Sequence, residues 1–173
     1  MMIWMVLVTN ISFADSTLTP VFQDLDTLLL SEKTQITQPA PVPSSQNVIL
    51  GNERLFSEYR HLIEGKRVGI VTNQTGVDSK GVRTVETLLQ TPYTTLVAAY
   101  SPEHGLDGKA SAGKYVSSYQ DRNLGIPVYS LYGSTREPSR QMLQGIDVLL
   151  FDMQDIGSRT YTYMSTLNYV MKA

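Results

Sequence analysis

The chain of 173 residues reads as an α/β protein, a parallel β-sheet with helices on both faces. Two observations predict this. Four apolar runs of strand length, Val68–Val71, Thr95–Tyr100, Val128–Tyr132 and Val148–Phe151, are each followed by a polar loop. Segments with helical spacing precede, separate and follow them, and strands alternating with helices pack as a parallel sheet covered on both sides.

The elements follow in order. Leu55, Tyr59, Leu62 and Ile63 recur at helical spacing, and Gly65 is placed to stop that helix. Val68-Gly69-Ile70-Val71 reads as a buried strand. Thr84–Gln90 predicts a helix with Val85, Leu88 and Leu89 inward. Thr95–Tyr100 is the second strand and Val128–Tyr132 the third. Ser139–Gln144 predicts a short helix, with Pro138 suited to its first turn and Gly145 to its end. Val148–Phe151, apolar throughout, is the fourth strand. Met164, Leu167, Asn168 and Met171 open a last helix.

The first 46 residues differ in character. Met1–Ala14 reads as an export signal, with Ile3–Val8 as its apolar core and Ser12-Phe13-Ala14 offering small residues, Ser12 and Ala14, where a cleavage site needs them, although no Lys or Arg precedes the core. Residues 15–46 read as leader and tether: Val21–Leu30 could form a short helix or belong to the leader, and the prolines of Thr34–Ser45, Pro39, Pro41 and Pro43, favour extended polyproline II and forbid a helix. The folded part is expected from residue 47 to 173. The net charge of −2 divides into −3 before the boundary and +1 after it.

Composition narrows the chemistry. The absence of cysteine excludes disulfides, thiolate catalysis and cysteine-held zinc or iron–sulfur centres. A near-neutral charge argues against a nucleic-acid partner. Ile3–Val8 is too short to span a bilayer, so no integral membrane segment is expected. No G-x-G-x-x-G follows the first strand and no phosphate-loop motif occurs, so the fold implies no nucleotide cofactor. Ser101 lacks the G-x-S-x-G setting of a serine nucleophile.

In parallel sheets ligands bind at the carboxyl ends of strands. The four strands exit into Thr72–Gly76, Ser101–Gly105, Tyr132-Gly133 and Asp152–Arg159, the last continuing to Tyr161-Thr162-Tyr163. Amides, carboxylates, an arginine, a histidine and tyrosines are therefore expected on one rim. Sugar hydroxyls bond such groups, and pyranose faces pack on aromatic rings. Glu103 is the candidate general acid, since a partly buried carboxyl can have a raised pKa. Its bland alternatives are capping a helix or pairing with Arg159. His104 could tune Glu103, bind substrate or satisfy a loop carbonyl. Asp152 and Asp155 could cap the next helix or hold Arg159. A metal site from Glu103, His104, Asp152 and Asp155 has no supporting spacing, and none is expected. One of Tyr161 and Tyr163 should face the rim.

Four motifs, Gly65–Val77, Ser101–Gly105, Pro127–Gly133 and Gly145–Gly157, resemble the exo-β-N-acetylmuramidase family typified by NamZ, long catalogued as a domain of unknown function. The resemblance covers about residues 48–173. It implies a glycoside hydrolase that removes N-acetylmuramic acid from the non-reducing end of peptidoglycan fragments. Its partners would be muropeptides or MurNAc–GlcNAc saccharides. It also implies an exported bacterial protein, and a Rossmann-like domain followed by a smaller domain, with the active site between them. The Glu of the P-E-H-G motif, here Glu103, is the implied catalytic acid. Asn73, His104, Tyr132, Gln154, Asp155, Arg159 and Tyr163 are the candidate substrate-binding residues. The resemblance stops at Ala173, inside the last helix, so the expectation is an N-terminal portion that is incomplete at its C-terminus and inactive alone. Two other readings are a non-catalytic module for cell-wall sugars and a metal-dependent hydrolase using Glu103, His104 and Asp155.

Overall fold

The computed structural model describes residues 48–173; the expected export signal and tether lie outside the described residues. Its elements are α1 (Gly51–Ser57), a 3-10 turn (Arg60–Leu62), β1 (Arg67–Thr72), α2 (Thr84–Gln90), β2 (Thr95–Ser101), β3 (Tyr119–Gln120), β4 (Pro127–Ser130), β5 (Val148–Asp152) and α3 (Tyr163–Lys172). The sheet order is β3-β4-β2-β1-β5. Every pairing among β4, β2, β1 and β5 is parallel, and β3 runs antiparallel on the edge of β4. The four expected strands are all present. Their order reverses at β1, in the manner of a Rossmann-like half, so β1 and β5 flank the crevice where such sheets take ligands.

Both faces are dry because both are covered. On one, Val68, Ile70, Val128, Val148 and Leu150 pack with Leu55, Ile63, Val85 and Leu88 from α1, its following turn and α2. On the other, Val71, Tyr100, Leu149 and Phe151 pack with Leu143, Ile146 and, from α3, Tyr163, Leu167 and Val170. Each such side chain contributes ~1.5–3 kcal/mol on burial. Gly69 lies in mid-strand because a Cβ there would sit 2.7 Å from Ile146 Cδ1 and 2.9 Å from Leu149 Cδ1. At the base of the sheet, Arg67 forks onto Asp147, with Nη2 donating to Oδ1 at 2.8 Å and Nε to Oδ2 at 3.1 Å. This staples the start of β1 to the start of β5.

Four details depart from expectation. The first helix breaks near Tyr59, whose N–H reaches back five residues to the Arg54 carbonyl and closes the α-helix. Leu89 is 39% exposed, because a two-turn helix presents Val85 and Leu88 to the sheet and turns the next residue away. Ser139–Gln144 is a series of turns rather than a helix. Only Leu143 N–H to Ser139 O spans four residues there, and Gln144 and Ile146 donate three residues back. Ending in Gly145 at φ +80°, this segment sets Ile146 over Gly69 and Leu143 into the same core. The edge strand β3 was not expected at all. Among the described residues, no helix is long and apolar enough to cross a membrane.

Candidate active site

At the upper end of the sheet one face becomes polar. Thr72 pairs with Asp152 across β1 and β5, and Ser101 with Ser130 across β2 and β4, and all four are buried. The loop after β1 is braced from within. Asn73, fully buried, accepts the Thr75 N–H at 2.8 Å and the Thr75 hydroxyl at 2.6 Å through Oδ1. Thr75 Oγ1 in turn accepts the Gln154 N–H at 2.9 Å, joining this loop to the one after β5. Asn73 Nδ2 is buried with no hydrogen-bond partner among the described residues.

The loop after β2 turns sharply, with Gly105 N–H donating to Pro102 O at 3.1 Å. His104 has φ +72°, the left-handed region that side chains other than glycine seldom adopt. Such strain costs on the order of 1–3 kcal/mol and collects at functional sites. It is held in place by Ala110. The His104 ring donates from Nδ1 to Ala110 O at 2.8 Å, and Ala110 N–H donates to His104 O at 3.1 Å. The acceptor is a carbonyl, so Nδ1 carries the hydrogen.

Beside His104 a cleft of about 260 Å³ is lined by Glu103, His104, Thr160, Tyr161, Thr162 and Tyr163. The Tyr161 and Tyr163 rings meet edge to face at 5.0 Å; Tyr161 is 40% exposed and Tyr163 is buried. Both oxygens of Glu103 are engaged: Oε1 accepts Gly113 N–H at 2.9 Å and Oε2 accepts the Thr162 hydroxyl at 3.0 Å. Partial burial pushes this carboxyl up. The hydrogen bonds from Gly113, Thr162 and Tyr132 and the charge of His104 outweigh that, and its pKa lies below the ordinary value. The raised pKa expected for Glu103 is therefore corrected. Its donors come from a loop ten residues on and a helix start 59 residues on, and neither is visible locally. Tyr163 is pushed the other way, by burial first and then by Tyr161 and Glu103.

The expected site residues thus sort into two groups. Glu103, His104 and Tyr163 share the cleft, with Tyr132 reaching Glu103 and Asn73 lying against Tyr163. Gln154, Asp155 and Arg159 follow β5 on the same edge of the sheet but do not line the cleft. Asp155 Oδ1 accepts Gly157 N–H at 2.7 Å, a turn-forming role. Among the described residues, no ion pair involves Glu103, Asp152, Asp155 or Arg159. No three His, Asp or Glu side chains among them converge as metal ligands. Asp152 is buried beside Gly76 and Thr84. Desolvation raises its pKa against a Thr84 hydrogen bond, and its Oδ2 has no partner among the described residues. Thr162 and Gly113 were not singled out by sequence. The hydroxyl between the two rim tyrosines was the available signal for Thr162.

Fold and site define an α/β domain of Rossmann-like order, with a carboxylate held in an aromatic-walled cleft at the carboxyl edge of its sheet. Residues 68–173 match the family model described as exo-beta-N-acetylmuramidase NamZ, N-terminal, and the chain belongs to that family. The resemblance read from its motifs is borne out. Over 145 residues it is 42% identical to the peptidoglycan beta-N-acetylmuramidase NamZ of Bacillus subtilis (strain 168), an alignment covering 80% of this chain and 35% of that protein. It is also similar to two crystal structures of DUF1343 family proteins from Bacteroides fragilis NCTC 9343. The one solved at 1.65 Å matches with a TM-score of 0.62 and 47% identity over 69% of this chain and 29% of that one. The one solved at 1.30 Å matches with a TM-score of 0.56 and 31% identity over 71% and 30%. The chain spans about a third of the length of the curated relative it matches.

Proposed function

We propose that this chain forms the Glu103 wall of the active-site cleft of a glycoside hydrolase that releases N-acetylmuramic acid from the non-reducing end of peptidoglycan fragments during cell-wall turnover. The observation that carries the reading is the Glu103 carboxyl, set between hydroxyl donors and tyrosine rings in a small cleft. Membership of the muramidase family supports it.

In this reading the sugar packs against Tyr161, and Glu103 donates a proton to the glycosidic oxygen as the bond to the anomeric carbon breaks and water supplies the hydroxyl that replaces it there. The resting carboxyl is ionised, so it must take up its proton when substrate arrives. Two effects push it that way. The sugar displaces water from the carboxylate, and the lactyl carboxylate of muramic acid brings a like charge into the cleft. Arg159, exposed on the loop after β5, offers a fork that fits that lactyl carboxylate. The protein acts outside the cytoplasmic membrane, where its polymer lies, and residues 1–14 direct it there. A mature N-terminus at Asp15 in the exported fraction is the expected sign.

The direct test is incubation of the intact gene product with a MurNAc–GlcNAc disaccharide. Free N-acetylmuramic acid and N-acetylglucosamine are expected in equal amounts. A protein that binds the disaccharide and yields no product is a binding module, and the reading fails.

A further inference from the structure

Thr162 immediately precedes α3 with φ −93° and ψ −6°, a helical backbone rather than the extended one from which a threonine hydroxyl caps a helix, and that hydroxyl makes no bond to the helix. Its hydroxyl instead donates to Glu103 Oε2 at 3.0 Å, across 59 residues of sequence, while Gly113 N–H holds Oε1 at 2.9 Å. Only the Thr162 carbonyl serves the helix, accepting Thr166 N–H and the Thr166 hydroxyl. The side-chain hydroxyl of Thr162 is therefore given wholly to a carboxylate in the cleft. We propose that Thr162 is a positioning residue for Glu103, fixing which Glu103 oxygen is presented to substrate and how readily that carboxyl takes up a proton. Thr162 and Gly113 grip opposite oxygens, so the carboxyl plane is fixed by two separate segments of the chain.

The proposal rests on the reading of Glu103 as the reacting acid. Other groups facing Glu103 are His104 from its own loop, Tyr132 from the end of β4, and Tyr161 and Tyr163 from the start of α3. None of these is changed by substituting Thr162. A hydroxyl that donates to a carboxylate favours its ionised form, so removing it moves the carboxyl toward protonation.

The test measures kcat and kcat/KM against pH for the intact gene product on a MurNAc–GlcNAc disaccharide, read as release of free N-acetylmuramic acid. Wild type is compared with Thr162→Val, Thr162→Ala, Thr162→Ser and Glu103→Gln. Thr162→Val keeps the shape, and Thr162→Ala removes the hydroxyl without placing a methyl against the carboxylate. Both are expected to move the basic limb of kcat/KM up by about one pH unit, as loss of one hydrogen bond to a charged group implies. Both should lower kcat at the optimum about tenfold while KM changes little, and Thr162→Ser should restore both properties. Val and Ala profiles that superimpose on wild type overturn the proposal, as does a Ser variant that falls with them. If Glu103→Gln is inactive and the Val profile is unchanged, only the role of Thr162 fails. If Glu103→Gln works at a near-normal rate, the reading of Glu103 and the proposal fail together.

Discussion

Asn73 accepts two hydrogen bonds from Thr75, the backbone N–H at 2.8 Å and the hydroxyl at 2.6 Å, and so closes the loop after β1 upon itself. Because Thr75 Oγ1 also accepts Gln154 N–H, the buried amide of Asn73 indirectly fixes the loop after β5. Replacing Asn73 with alanine leaves both Thr75 donors without their acceptor and opens a small void. The expected cost is about 2 kcal/mol, read as a lower urea midpoint at unchanged slope. A midpoint within error of wild type would mean that the loop is held by other contacts.

Asp152 predicts a pH dependence of stability. Burial raises its folded-state pKa above the ordinary 3.8. Its contribution is therefore fully present below that ordinary value and is lost as pH rises through the raised one. At neutral pH the charged, buried carboxylate destabilises the fold. Asp152→Asn keeps the shape and removes the charge. It is expected to melt above wild type at neutral pH, with the difference closing as pH falls toward 4. A variant that melts lower at neutral pH, or a gap that does not change with pH, would contradict this.

Gly76 and Gly113 separate two reasons for requiring glycine. A Cβ on Gly76 would collide with Thr72 Oγ1 and lie 2.8 Å from the Asp152 carbonyl oxygen, so alanine there must displace the loop or break the Thr72 hydroxyl's bond to that carbonyl. Gly113 has open space around it but φ +72°. Gly76→Ala is expected to cost about 3 kcal/mol by overpacking and Gly113→Ala about 1 kcal/mol by backbone strain. Denaturant midpoints of the two variants check the order, and the reverse order would refute it.

Glu103 sets the expected pH–rate behaviour. Its carboxyl sits below the ordinary value in the empty cleft, and on the proposed reading it is expected to rise when a muramic acid substrate displaces water and brings a second carboxylate. A required acid is lost as pH rises through its pKa. The basic limb of kcat, which reports the complex, should therefore lie at higher pH than that of kcat/KM, which reports the free protein. Coincident limbs would show that substrate does not perturb the group.

The sheet was legible because its four parallel strands are apolar runs whose alternate residues feed two separate cores. Val68 and Ile70 join one core, and Val71 joins the other. Such runs carry their own signal. The strand Tyr119–Gln120 carries none, being two exposed residues placed only by the neighbouring β4. Pro138 and Gly145 suggested a helix between them, but the segment closes mostly on three-residue hydrogen bonds and forms turns. For the site, the P-E-H-G turn pointed to Glu103 and His104. The direction of the Glu103 shift was hidden because it depends on Gly113 and Thr162, which tertiary folding alone brings to the carboxylate.

The most direct measurement of the central claim is the rate at which the intact gene product with Glu103→Gln releases N-acetylmuramic acid from a MurNAc–GlcNAc disaccharide. A general acid contributes ~10²–10⁴-fold, so a loss of that size is expected while the disaccharide still binds. The loss should be smaller on an activated aryl muramide, whose leaving group needs less protonation. A variant that cleaves the disaccharide at close to the wild-type rate would contradict the account.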